Sequence, residues 1–371
     1  GSKNGWERPN WFAPEGVEPV DKPGFTEQNW TPHVAAEHRA VREGVALIDQ
    51  SSFSKFELRG SGALAAIQRL AVSNMDKPVG SVIYTQLCND LGGIEADLTV
   101  TRLAEDRFYI VTGSGFGVHD AHWIESHLPK DGSVLLIEVT SAKAVINLCG
   151  PKAREVLVAV AEEDISNDAF PFATARLVTL GAAPVLAVRI GYVGELGWEL
   201  HSPTEYAAHV YETLLAAGEP LGIRDVGYRA IESLRLEKGY VYWSSDVTPD
   251  YTPYEAGLGF RVHLKSKSDF IGRATLEKQK ADGVRRRLCS FTVEGRMPVF
   301  GGETILKGAE VVGLVSSGGY GTTVEKTILY GYLPAALAGE SDFEVEAFGE
   351  RYKATRVEGP LYDPANTRLK A

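Results

Sequence analysis

Residues 84–100 read YTQLCNDLGGIEADLTV, and the fold of this stretch organises the rest of the chain. Two alternating runs flank Asn89, Asp90, Gly92 and Gly93, residue types that supply the tight, positive-φ geometry of a turn. The stretch therefore predicts a β-hairpin. In the second run Ala96, Leu98 and Val100 share one face, while Glu95, Asp97, Thr99 and Thr101 share the other, because side chains alternate along a strand. A carboxylate in a half-apolar strand just beyond a glycine-rich turn is either a rim charge or a site residue. Periodicity alone favours the solvated rim.

Before the hairpin, residues 32–43 carry the inner stripe Val34, Ala35, His38 and Val41 of a helix stopped by Gly44. Residues 53–58 alternate as a strand, and residues 63–71 form a short helix with Leu64, Ile67 and Leu70 facing inward. After the hairpin, residues 108–112 read as a strand and residues 118–128 as a helix. This order predicts an α+β unit with mainly antiparallel pairing. Further on lie a strand at 134–139 and a helix at 152–161. VLAVRIGYVGELGWEL, residues 185–200, then gives two β runs joined by a loop holding Gly191, Gly194 and Gly197. Backbone can approach a ligand closely at such a loop. Ser202, Pro203, Thr204 and Glu205 read as a capping box opening a helix with Tyr206, Val210 and Leu214 on its apolar stripe. Another helix, residues 227–238, stops at Gly239.

The division expected is an extended arm over residues 1–30, two α+β domains over 31–264, a polar basic linker with a short helix over 265–287, and an all-β domain over 288–371. Short strands broken by Gly301-Gly302, Gly318-Gly319 and Gly349 give the last part its barrel or sandwich character. A chain of 371 residues exceeds what one simple core organises. The net charge of −11 argues against a broad phosphate-backbone surface, so no nucleic-acid partner is expected. No apolar run approaches the length of a membrane span, and no signal peptide opens the chain. Cys88, Cys149 and Cys289 are odd in number and lack metal-type spacing, which fits a reducing compartment. A cytoplasmic location is expected, or the mitochondrial matrix in a eukaryote. Gly1-Ser2 in place of an initiator methionine is expected of an expression scar or of a piece cut from a longer polypeptide.

Several signals favour the plainer interpretation. His119, His122 and His127 lie near Asp120, but their spacing does not bring three ligands to one helix face, so no metal site is expected. No P-loop, GxSxG or dinucleotide fingerprint appears, so no FAD or NAD site is visible. The basic run Arg285-Arg286-Arg287 with Lys278 and Lys280 reads as a solvated face that could also attract an anionic ligand tail. Glu195 and Glu199 flank Gly197-Trp198, and a buried glutamate there could accept paired N–H donors from a heterocyclic amide or amidine.

YTQLCNDLGGIEADLTV, RIGYVGELGWEL, SLRLEKG, TPYEAGLGF and the terminal GYLP…GPLYDPANTRLK occur in that order. Together they resemble the folate-binding aminomethyltransferase family, the glycine-cleavage T-protein and its relatives, over nearly the whole chain from about His33 onward. Closer still is the likeness to the C-terminal folate domain of dimethylglycine and sarcosine dehydrogenases. GWERPNWFAPEG and EHRAVREGVALIDQSSFSKFEL resemble the join just after their FAD domain. The resemblance implies a cloverleaf of two interleaved α+β domains plus a C-terminal all-β barrel, around a hole for tetrahydrofolate. It makes Asp97 the catalytic aspartate near the folate N5 and N10, with Tyr84 lining the same pocket. Tyr192 and Glu199 become the second wall, Glu199 ahead of Glu195 as partner of the pterin N–H groups. Two departures stand out. Ile231 occupies the place of a T-protein arginine, leaving Arg229 as the nearest substitute, and Gly113 replaces an asparagine. These disfavour an aminomethyl–lipoyl substrate and favour a small one-carbon species.

The implied activity is tetrahydrofolate-dependent one-carbon transfer. A methylene unit from an oxidised N-methyl amine of dimethylglycine or sarcosine type would yield 5,10-methylenetetrahydrofolate. The implied partners are a small-molecule donor and an FAD-containing oxidoreductase domain or subunit, with no membrane. One alternative is direct methyl transfer to folate from a small methylated donor. Another is a non-catalytic folate-binding module; a relative of that kind carries a KGC motif, whereas Lys238-Gly239 is followed here by Tyr240.

Overall fold

The computed structural model describes residues 1–371 except Thr26, Lys267 and Ser268. The hairpin forms from strands Val82–Cys88 and Ile94–Ala104, with Tyr84 opposite Thr99 and Gln86 opposite Asp97. Its turn needs glycine twice. Gly92 has φ +79°, and a Cβ on Gly93 would lie 1.9 Å from the carbonyl oxygen of Pro249. The Asn89 carboxamide oxygen accepts from the backbone N–H groups of Leu91 and Gly93, both at 3.0 Å, and so closes the loop.

The hairpin is one edge of a five-stranded sheet ordered 82–88, 94–104, 107–112, 54–59, 135–138. One face of this sheet packs Phe56, Leu58, Leu98, Val100 and Phe108 against helices Ala63–Leu70 and Gly117–Ser126. Burial of each such side chain contributes about 1.5–3 kcal/mol. The other face carries Tyr84, Gln86, Asp97, Thr101 and Tyr109, because the alternation puts every second residue there.

A six-stranded sheet is ordered 175–180, 183–188, 197–203, 143–149, 46–49, 224–225. The chain lays down Ala46–Asp49, leaves to build the entire five-stranded sheet, and returns at Lys143–Cys149. The two α+β units are therefore interleaved. Strand Ala46–Asp49 is covered on both sides. Leu47 enters the core under helices Ala153–Val160 and Ala207–Gly218, whereas Ala46 and Ile48 enter the one under helices Thr31–Glu43 and Tyr228–Glu237.

Residues 286–357 close into a six-stranded barrel, ordered 286–294, 326–334, 310–321, 304–307, 342–347, 350–357, around Phe291, Ile305, Leu329, Phe343 and Val345. Closure removes unpaired sheet edges. Within the stretch expected as a linker, helix Arg273–Asp282 forms, and Phe270 and Leu276 are buried against Cys88 and Ile94 of the hairpin. The capping box does not form. Ser202 is buried in strand Gly197–Pro203 and pairs with Ala144, so its hydroxyl is carried away from the helix, whose first turn has no side-chain cap. Gly197 likewise begins that strand rather than lying in the loop before it. Among the described residues no helix is long and apolar enough to cross a membrane.

Candidate functional site

The polar faces of the two large sheets meet where the Tyr109 hydroxyl lies 3.1 Å from His201 Nδ1, their rings nearly perpendicular at 5.3 Å. Asp97 stands on the five-stranded side. Its cross-strand partner Gln86 is fully buried and donates a 2.7 Å hydrogen bond from Nε2 to Asp97 Oδ1, and Tyr84 also hydrogen-bonds the carboxylate. Burial pushes the Asp97 carboxyl up to about 6, against the lowering influence of the Gln86 and Tyr84 hydrogen bonds. The neighbouring Asp120 raises it further and Arg261 lowers it. The Tyr84 hydroxyl is in turn held well above its ordinary range by burial and then by the Asp97 charge. The Arg261 guanidinium lies 5.3 Å from the centre of the Tyr84 ring, within range of cation–π attraction.

Tyr192 reaches this region from the loop between Ala183–Val188 and Gly197–Pro203, donates its hydroxyl to the Val241 carbonyl and stacks on Tyr240 at 5.7 Å. Burial raises its hydroxyl, and Asp97 is among the charges it feels. Glu199 stands on the six-stranded side, opposite Asn147 and 3.6 Å from His201 Nε2. Burial lowers the His201 imidazole, and the Glu199 carboxylate works against that shift. Three buried polar atoms on these facing surfaces have no hydrogen-bond partner within the protein: Gln86 Oε1, Asn147 Oδ1 and His201 Nε2. Buried polar groups are almost always paired, so these three atoms are free to pair with water or a polar ligand. A carboxyl poised near neutrality between tyrosine rings suits stabilisation of a passing cation or exchange of a proton.

Two expected site residues are placed elsewhere. Glu195 is buried, but Arg42 Nη1 approaches one carboxylate oxygen at 3.1 Å, the Tyr362 hydroxyl donates to that same oxygen at 2.7 Å, and Arg368 Nε donates to the other at 2.9 Å. Its acceptor capacity is consumed in a clamp on the C-terminal segment. Arg229 forms a two-bond pair with Asp21, at 2.7 and 3.0 Å, and lies 3.5 Å over the Trp30 ring. It secures the N-terminal arm, because it lies at the first turn of its helix, while Ile231 packs into the apolar cluster that includes Tyr192. Gln86, Asn147, His201 and Arg261 were missed. For Gln86 the signal was present: it shares a strand face with Tyr84 two residues away. His201 carried the same signal, two residues from Glu199 on a strand where both alternate with Trp198 and Leu200; Asn147 gave none, since its strand is buried on both faces and reads as a nearly unbroken apolar run.

His119 sits 3.0 Å from Asp120 and 3.6 Å from Glu95, at the edge of the same polar face and against Trp243. Among the described residues no group of three or more His, Cys, Asp or Glu side chains is arranged to hold a metal ion.

Comparison with known proteins adds the following. Residues 1–266 match the GCVT N-terminal domain, and residues 286–363 match the glycine cleavage T-protein C-terminal barrel domain. The chain is 37% identical over 417 residues to mitochondrial sarcosine dehydrogenase from Homo sapiens, covering 99% of this chain and 45% of that protein. It is 36% identical over 371 residues to mitochondrial dimethylglycine dehydrogenase from Mus musculus, covering 99% and 43%. The chain thus spans about half the length of these curated relatives. Among solved structures, aminomethyltransferase T of the glycine cleavage system from Bartonella henselae superposes with a TM-score of 0.82 at 25% identity, covering 93% of this chain and 94% of that one.

Proposed function

Because this chain belongs to the glycine-cleavage T-protein family, whose members bind tetrahydrofolate, we propose that it transfers a methylene unit to tetrahydrofolate from an oxidised N-methyl amine. The observation that supports this best is Asp97, held by Gln86 and Tyr84 on the polar face of one sheet, which meets the Glu199 and His201 face of the other at Tyr109. The unpartnered acceptors on that face fit a ligand rich in N–H groups, as a reduced pterin is. When bound, tetrahydrofolate supplies the ring amines that accept a one-carbon unit. The protein's own part is to hold and orient. Asp97 stabilises positive charge near those amines, Tyr84 and Tyr192 wall the site and exclude water, and Glu199 accepts N–H donors. Dimethylglycine and sarcosine are the donors we favour, since dehydrogenases of both are relatives of more than twice this length. Oxidation of the amine then belongs to an FAD-containing domain or subunit.

Calorimetric titration of the intact chain with tetrahydrofolate tests the reading. Saturable binding is expected, largely kept in Asp97→Ala. In Glu199→Gln it should be weakened about 10–100-fold, the loss of hydrogen bonds to a charged acceptor. Absence of binding by the intact chain ends the proposal. Product analysis in a coupled reaction with a sarcosine-oxidising flavoenzyme decides the carbon level: 5,10-methylenetetrahydrofolate is expected, and 5-methyltetrahydrofolate would replace this reading with direct methyl transfer.

A further inference from the structure

Glu199 has a neighbour that the family resemblance does not assign. Asn147 lies directly opposite it, on strand Lys143–Cys149, and cross-strand partners of this kind bring their Cβ atoms within about 4.5–5.5 Å on one face. Asn147 is fully buried. Its Nδ2 donates a long, 3.4 Å hydrogen bond to Gln50 Oε1, and its Oδ1 has no partner in the protein. A buried carboxamide oxygen without a donor is destabilising, so the residue is costly there unless something else supplies one. The side chain is not needed to fill the core, since apolar residues flank it on the same face of its strands: Ile48 opposite on one side and Cys149 two residues on.

We infer that Asn147 is the second acceptor for the amino-pyrimidinone edge of the ligand, acting beside Glu199. This rests on the tetrahydrofolate reading above. The count of donors makes the argument. That edge carries three N–H groups: the ring N–H and one exocyclic amine N–H point the same way, and the second amine N–H points to the other side of the amine. A carboxylate accepts two of them side by side, as it does from a guanidinium fork, and one is left. His201 does not take it in the tautomer that serves Glu199: there the Tyr109 hydroxyl donates to Nδ1, and the proton is on Nε2, 3.6 Å from the Glu199 carboxylate. In that tautomer His201 faces the carboxylate as a donor, and among the described residues the Asn147 oxygen is the unpaired acceptor on that wall. The assignment makes Asn147 a specificity-determining residue for the exocyclic amine, separate from the Asp97 wall where the one-carbon unit is handled.

The test is a two-ligand titration of the full chain. Tetrahydrofolate and its 2-desamino-2-methyl analogue are each titrated into wild type, Asn147→Leu and Asn147→Ala. Near-ultraviolet circular dichroism identifies the variants that keep the native fold. Asn147→Leu is expected to weaken tetrahydrofolate about 10–100-fold and to leave the analogue within about twofold of wild type. Equal tetrahydrofolate affinity in wild type and folded variants overturns the inference while the folate reading stands. Equal loss for both ligands also overturns it, since a merely structural asparagine would act that way. No binding of tetrahydrofolate by wild type removes the folate reading itself. A crystal structure of the wild-type complex decides the matter without any variant: a ligand nitrogen within about 3.2 Å of the Asn147 carboxamide oxygen upholds it, and a carboxamide turned away from the ligand overturns it.

Discussion

Glu195 and Glu199 stand four residues apart on one segment of chain, and both are shielded from solvent, with side-chain exposures of 1% and 16%. Glu195 ends in a closed network: Arg42, Arg368 and Tyr362 meet its carboxylate, and Arg42 continues to Glu237, which also accepts the backbone N–H of Thr323 next to the barrel. Glu199 faces a polar surface with one histidine at 3.6 Å and an unpaired carboxamide across the strand. The difference is one of supply. Around Glu195 the protein provides a donor for each carboxylate oxygen, so the charge serves to join lobes. Around Glu199 and Asp97 it leaves acceptors unmatched, so the charge is kept for something that arrives from outside.

The largest effect expected from that contrast is on stability. Glu195→Ala leaves the Arg42 guanidinium buried with half its charge partners gone, and breaking one member of such a buried pair typically costs about 3–5 kcal/mol. Chemical denaturation should show that loss, with tetrahydrofolate affinity of the remaining folded protein unchanged. A variant with wild-type stability and impaired binding would erase the distinction between clamp and site.

Asp97→Ala should do the opposite. Removal of one preorganised electrostatic group slows transfer about 10²–10³-fold. Among the described residues no cation is paired with Asp97, so stability should not fall with activity; stopped-flow product formation and a thermal melt of the same preparation check both halves. Transfer at the wild-type rate under saturating tetrahydrofolate would return Asp97 to the role of a buried but idle carboxylate.

The sequence carried this contrast only in part. The hairpin was legible because its two faces differ in polarity, and that alternation put Asp97 on the more polar side. Strands Ala46–Asp49 and Lys143–Cys149 were not legible, because both faces are buried and an unbroken apolar run has no period to read. The same lack of period hid Asn147. Nor could spacing separate Glu195 from Glu199: the partners that close off Glu195 come from residues 42, 362 and 368, far away in the chain. Ser202 misled for a related reason, since seven-residue pairing with Lys143–Cys149 overrides a local capping pattern.

The smallest effect expected is a shift along the pH axis, and it separates Gln86 from a purely structural buried amide. Burial raises the Asp97 carboxyl from its ordinary 3.8 to about 6 in the folded protein. A carboxyl with a raised folded-state value binds its proton more tightly native than unfolded. Its contribution to stability is therefore fully present below about pH 4 and is lost as pH rises through about 6. Asp97→Asn should accordingly be more stable than wild type at pH 8 by about 1–3 kcal/mol and indistinguishable from it at pH 4. Transfer needs the ionised form, so its rate should climb through an apparent value near 6 and then level. The Gln86 hydrogen bond favours that ionised form, and Gln86→Leu removes it. The rising limb should then move to higher pH by about one unit, with the plateau rate reduced less than in Asp97→Ala. A limb that stays in place when Gln86 is replaced would mean that burial alone sets the proton affinity of Asp97, and that Gln86 acts only as packing.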